Sequence, residues 1–143
     1  MFKKINFQFL ISYFGLIPYV LTFLDKYYFL IVEEEYLLSF ITYYSLIIIV
    51  FIGSINWNLK NNPPTHIVIY GFLPSLFAVM IIILSLLNIN ILIIFILIIL
   101  LLLTQLFFDY IILFANEVNK NAFYLLRLPL TALITVFLFL ISL

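Results

Sequence analysis

Two residues of opposite charge stand in apolar runs: Asp109 in FFDYIILF and Arg127 in FYLLRLPLT. An ionised side chain away from water loses its hydration, so it pairs, or else lines a path for ions or protons. A carboxylate and a guanidinium satisfy each other through charge-assisted hydrogen bonds. The first reading is therefore a buried ion pair that pins two segments together. The second is a proton relay or a seat for a charged group, with Asn56, Trp57, Gln105 and Thr131 as its polar surroundings. A matched arginine neutralises the aspartate, which favours the first.

Other chemistries lack their residues. Without cysteine there is no thiolate nucleophile and no thiolate metal site. His66, the one histidine, cannot build a histidine metal site unaided. The run Glu33-Glu34-Glu35 resembles a metal site, but consecutive helical residues point in different directions. Acidic residues there suit a helix N-terminus instead. No serine–histidine motif and no phosphate-binding glycine loop occur. The expectation is no catalytic set, no metal, no cofactor and no enzyme.

The elements that must hold Asp109 and Arg127 follow from composition. Hydrophobic residues are 68% of 143 and charged residues 8%, with a mean hydropathy of +1.37. A soluble domain is about half apolar and about a quarter charged. Such a chain calls for lipid as its solvent. Six basic and six acidic residues give zero net charge, which argues against nucleic acid as a partner. The bilayer and other membrane proteins remain, and nothing in the sequence sets an oligomeric state.

Crossing about 30 Å of hydrocarbon takes about 20 apolar residues in a helix. Five segments qualify: about 6–24, 36–58, 66–87, 91–114 and 122–143. The expected fold is one all-α domain, a bundle of five transmembrane helices with short loops. The first segment lacks a small-residue cleavage site and reads as a retained helix rather than a signal peptide. NNPP at 61–64 stops a helix. NIN at 88–90 is short enough to force an antiparallel hairpin. Lys3, Lys4, Lys60, Lys120 and Arg127 fall on one side and only Lys26 on the other, giving N-in, C-out.

Hairpin geometry then brings the charges together. Residues equidistant from the middle of a tight connection lie at similar depth, and Asp109 and Arg127 each stand nine positions from residue 118. The same reasoning sets Gly53 level with Gly71, where two backbones can approach closely. Gly15, Pro18, Pro74 and Pro129 are expected to serve packing or kinks. Pro129 either bends the last helix or starts it, and the second option leaves only 15 residues, about 22 Å. The bend is preferred, with Arg127 or Thr131 answering the carbonyl freed near Leu125. Trp57, Tyr70, Tyr110 and Tyr124 read as an interfacial aromatic belt. The outer half of the fourth segment, all Ile, Leu and Phe, shows no preferred face.

In order along the chain, FGLIPYVLTF (14–23), FIGSINWNLK (51–60), YGFLPSLFAV (70–79), Asp109 and FYLLRLPLT (123–131) resemble the membrane family described as domain of unknown function 3429. That family includes transmembrane protein 69, and the resemblance covers nearly the whole chain. Gly53 to Trp57 and Leu126 to Thr131 are its most specific parts. The family commonly carries histidine before the tryptophan and glycine after it, where this chain has Asn56 and Asn58. It also commonly has tryptophan-tyrosine before the arginine, where Phe123-Tyr124 stands. The resemblance implies a multi-pass protein of the bacterial inner membrane or, alternatively, the mitochondrial inner membrane, and it supplies no activity. The expected function is an assembly or stabilising factor acting through protein or lipid contacts within the membrane. The alternative is a small transporter or a protein binding a lipid or quinone at the polar cluster.

Overall fold

The structure, a computed structural model, describes residues 7–54, 64–112 and 123–143. Asn56, Trp57, Asn58, the four lysines at 3, 4, 60 and 120, and most of the NNPP stop lie outside them. All regular structure among the described residues is helical. The α-helical segments are α1 (Phe7–Phe14), α2 (Ile17–Leu24), α3 (Glu34–Ser54), α4 (Thr65–Leu86), α5 (Ile91–Ile112) and α6 (Leu128–Ser142). A wide π-helical turn, Phe123–Arg127, leads directly into α6. Counting that turn, four helices among the described residues are long and apolar enough to cross a membrane: Glu34–Ser54, Thr65–Leu86, Ile91–Ile112 and Phe123–Ser142.

The first expected helix is broken, which corrects the sequence reading of 6–24. Gly15 and Leu16 form a tight turn, their amides reaching back three residues to Ser12 O and Tyr13 O. Pro18 has no amide to offer the carbonyl of Phe14, so the ladder cannot run through. Tyr44 Oη donates to Gly15 O at 2.9 Å and covers the exposed backbone. α1 and α2 nevertheless travel together along α6. Tyr13 Oη donates to Leu125 O at 2.6 Å near one end of α6, and Lys26 Nζ donates to Ile141 O at 2.6 Å at the other. The N-terminal segment thus runs parallel to the last helix over most of its length.

Pro129 stands in the first turn of α6, near its start as one of the two sequence readings had it, but the preceding turn runs straight into α6 and is no separate helix. Backbone dihedrals stay helical at Arg127 (φ −65°, ψ −48°), and the π turn absorbs the hydrogen bond that proline cannot make. The freed carbonyl of Leu125 is answered by Tyr13, not by Arg127 or Thr131.

Turn residues explain the hairpins. Asn88 takes the left-handed conformation (φ 56°), with its amide on Ser85 O and the Ile89 amide on Leu84 O, a Schellman stop for α4. Asn90 Oδ1 accepts the Leu92 amide at 2.9 Å and caps α5. The two asparagines of NIN close one helix and open the next. Leu30 is also left-handed (φ 52°). Asp25 holds it there, its carbonyl taking the Leu30 amide and its carboxylate the amides of Ile31 and Val32.

α5 sits centrally and packs on α3, α4 and α6, while α2 packs on α3 and α6. Its buried face is a continuous stripe, Ile94, Phe95, Ile98, Leu102, Gln105 and Asp109. The outer half of α5 therefore does have a core face. Uniformly apolar sequence carries no amphipathic signal, and the neighbours alone choose the side. α3 and α4 meet where a Cβ on Gly53 would lie 2.9 Å from Gly71 O and 2.8 Å from Pro74 Cγ. Only glycine fits at position 53 against that backbone.

Candidate functional site

Gln105 and Asp109 are one turn apart on α5, so both side chains leave the same face. Arg127 and Thr131 stand in the same relation across the start of α6. Arg127 Nε donates to Asp109 Oδ2 at 2.5 Å, and the side chains are 12% and 3% exposed. The other carboxylate oxygen, Oδ1, accepts from Tyr70 Oη at 2.7 Å. That hydroxyl also lies 3.0 Å from Gln105 O. Its single proton goes to the carboxylate, the stronger acceptor. Gln105 Nε2 donates to Ile49 O at 3.1 Å. One carboxylate and one amide thereby link α3, α4, α5 and the start of α6 within one turn of α5.

The cluster is neutral, one charge of each sign, and lies within the bundle. Three of its buried polar atoms have no hydrogen-bond partner among the described residues: Gln105 Oε1, Arg127 Nη2 and Thr131 Oγ1. Their positions follow from the hairpin. Gln105 and Thr131 are equidistant from residue 118, as Asp109 and Arg127 are, so the polar groups occupy two levels one turn apart.

Two cavities adjoin the cluster. One of about 310 Å³ lies between α4 and α5, with Tyr70 and Gln105 among apolar walls that include Phe77 and Phe108. Another of about 220 Å³ lies among α1, α3 and α6, with Arg127 beside Ser12, Gly15, Ile48 and Leu130. A shallower apolar groove of about 580 Å³ follows the α3–α4 seam.

Of the residues singled out from sequence, Asp109, Arg127 and Gln105 are joined in one network. Thr131 is buried beside them. Gly15 and Pro18 form the α1–α2 break, Gly53, Gly71 and Pro74 the close α3–α4 contact, and Pro129 the entry to α6. Tyr70 is not an interfacial belt residue: its side chain is buried and holds Asp109. Tyr110 and Tyr124 are exposed, their rings packed against Phe123.

Sequence reasoning passed over the other tyrosines. Tyr19 is fully buried and its hydroxyl lies 2.9 Å from Ser45 Oγ. Ser45 donates onward to Ile41 O at 2.7 Å, so the tyrosine supplies the shared proton. Tyr13 and Tyr44 cover backbone carbonyls at the two proline-disturbed positions. The available signal was the tyrosine hydroxyl itself, which needs a partner wherever it is buried in an apolar run. Among the described residues no group of three or more His, Cys, Asp or Glu is placed to hold a metal.

The chain matches no family model, and neither the curated proteins nor the solved structures contain a match.

Proposed function

We propose that this chain is a small multi-pass membrane protein that works through intramembrane protein or lipid contacts, as a non-enzymatic assembly or stabilising factor. The observation that carries the reading is the neutral, inward-facing polar cluster. Its charges are consumed in holding four helices together, while large apolar side chains cover the outside of those helices. What such a surface offers a partner is apolar contact within lipid. The motif resemblance to the domain of unknown function 3429 family agrees with this reading and suggests a bacterial inner membrane, with the mitochondrial inner membrane as the alternative.

In this proposal the first segment is a fifth crossing, N-in and C-out. Its parallel course along α6, from Leu125 to Ile141, supports an odd number of crossings. The chain has no native cysteine, so single cysteines report topology directly. Ile31→Cys and Asn88→Cys should react with a membrane-impermeant maleimide from outside, and Thr65→Cys only after permeabilisation. The functional test is mild-detergent purification with mass spectrometry of what co-purifies. A specific membrane protein or lipid is expected, and a monodisperse monomer carrying neither would refute the role. The cavity beside Arg127 favours a second reading, that a lipid is bound as a ligand.

A further inference from the structure

We infer that the 220 Å³ cavity among α1, α3 and α6 binds one acyl chain of a glycerolipid, with the ester carbonyl accepting a hydrogen bond from Arg127. A guanidinium carries five N–H donors in a rigid fork and satisfies a carboxylate best with two parallel bonds. Here the two parallel bonds are not made: Nε alone meets Oδ2, and Tyr70 donates to the other oxygen of Asp109. Arg127 bonds through Nε, and its Nη2 has no acceptor among the described residues although the side chain is only 12% exposed. A buried charged donor left unmet is costly and marks where an acceptor belongs.

The cavity indicates what kind of acceptor. Its remaining walls include Ile48, Ile52, Leu130 and Ile134, which suit hydrocarbon. Its volume falls below the roughly 300–1,000 Å³ of pockets that enclose a drug-sized ligand, so it takes a stretch of one chain and leaves the rest of the lipid outside. Asp109 already balances Arg127, so an anionic head would add an uncompensated charge to an apolar site, whereas a neutral carbonyl meets the guanidinium without that penalty. Arg127 is four residues into the Phe123–Ser142 helix, about 6 Å along its axis. That is close to the boundary between hydrocarbon and headgroup, where acyl esters lie.

This inference rests on the membrane reading above and not on the assembly role. The test incorporates the full chain into nanodiscs holding equal amounts of dioleoyl phosphatidylglycerol and its diether analogue, which has the same headgroup and chains but no carbonyl. Native mass spectrometry then counts the lipid retained on release. The ester lipid should be retained over the ether by about tenfold, the worth of one hydrogen bond to a charged donor. Ile11→Trp, which fills the cavity from an exposed position, should abolish the preference. Leu73→Trp in the α4–α5 cavity should leave it intact. Equal retention of ester and ether lipid, a preference that survives Ile11→Trp, or displacement of the ester lipid by free oleate would each overturn the assignment. A chain that does not incorporate at all would instead overturn the membrane reading beneath it.

Discussion

At one end of α6, Arg127 gives its charge to a buried aspartate; at the other, Lys26 lies over the last-turn carbonyls and reaches Glu34. The Arg127 end is closed, with both partners almost out of contact with solvent and a tyrosine on the remaining carboxylate oxygen. The Lys26 end is open. The Lys26 side chain is as covered as that of Arg127, at 13% exposed, but its partner is not: Nζ is 3.0 Å from Glu34 Oε1, whose side chain is 63% exposed, and 2.6 Å from Ile141 O. Tyr27 Oη adds a bond to Leu140 O at 2.6 Å. The contrast lies in what replaces a lost partner. Carbonyls and a carboxylate at the open rim can turn to water, but a lone charge in the closed cluster has no second ion to balance it.

Asp109→Asn breaks the closed end most directly. It leaves Arg127 charged, buried and unbalanced, and the expected loss is about 3–5 kcal/mol, the range for breaking a buried pair from one side. Unfolding by SDS titration in mixed micelles measures it. The double substitution Asp109→Leu with Arg127→Leu removes both charges and should recover most of that loss, since an apolar pair needs no compensation. If the single variant unfolded like the parent, the pair would contribute nothing to stability and the contrast between the ends would disappear.

Much of the closed end was legible because costly residues are conspicuous. Two charges in apolar runs must pair, and the length of one connection fixes which levels meet. The same logic placed Gly53 against Gly71. It failed for Tyr70, whose position near a helix end suits an interfacial aromatic equally well, and only the neighbouring helix decides between the two. It failed for the buried face of α5, where uniform Ile and Leu leave the choice to packing. It also failed at Gly15–Pro18. A glycine and a proline three residues apart can bend or break a helix, and Tyr44, distant in sequence, supplies the bond that makes a break tolerable.

Gly53→Val asks whether the closed end depends on packing as well as charge. Gly53 is one turn beyond Ile49, whose carbonyl receives Gln105, and any Cβ there collides with Gly71 O and the Pro74 ring. Overpacking should cost about 2 kcal/mol, because backbone atoms cannot yield as a flexible side chain would. It should also loosen the α3 arm of the network. Cross-linking between cysteines at Leu46 and Ala78 on the two helices would report the separation, with reduced yield expected. Tyr70→Phe is milder. It deletes one bond to Asp109 while the ion pair remains, so about 1–1.5 kcal/mol is expected, the upper part of the ordinary range for a hydrogen bond.

Lys26→Met should be the smallest effect, about 0.5–1 kcal/mol. It keeps an unbranched chain against Tyr27 and removes the charge from both Glu34 and the end of α6. The direction with salt separates the two ends more sharply than the magnitude. Raising ionic strength screens a rim pair and should erase most of the difference between Lys26→Met and the parent. The deficit of Asp109→Asn should persist, because ions do not enter the closed cluster. SDS titrations of both variants at about 0.05 and 0.5 M salt would show it. A deficit at Asp109 that faded with salt as the Lys26 deficit does would mean that the Arg127 end is as open as the other.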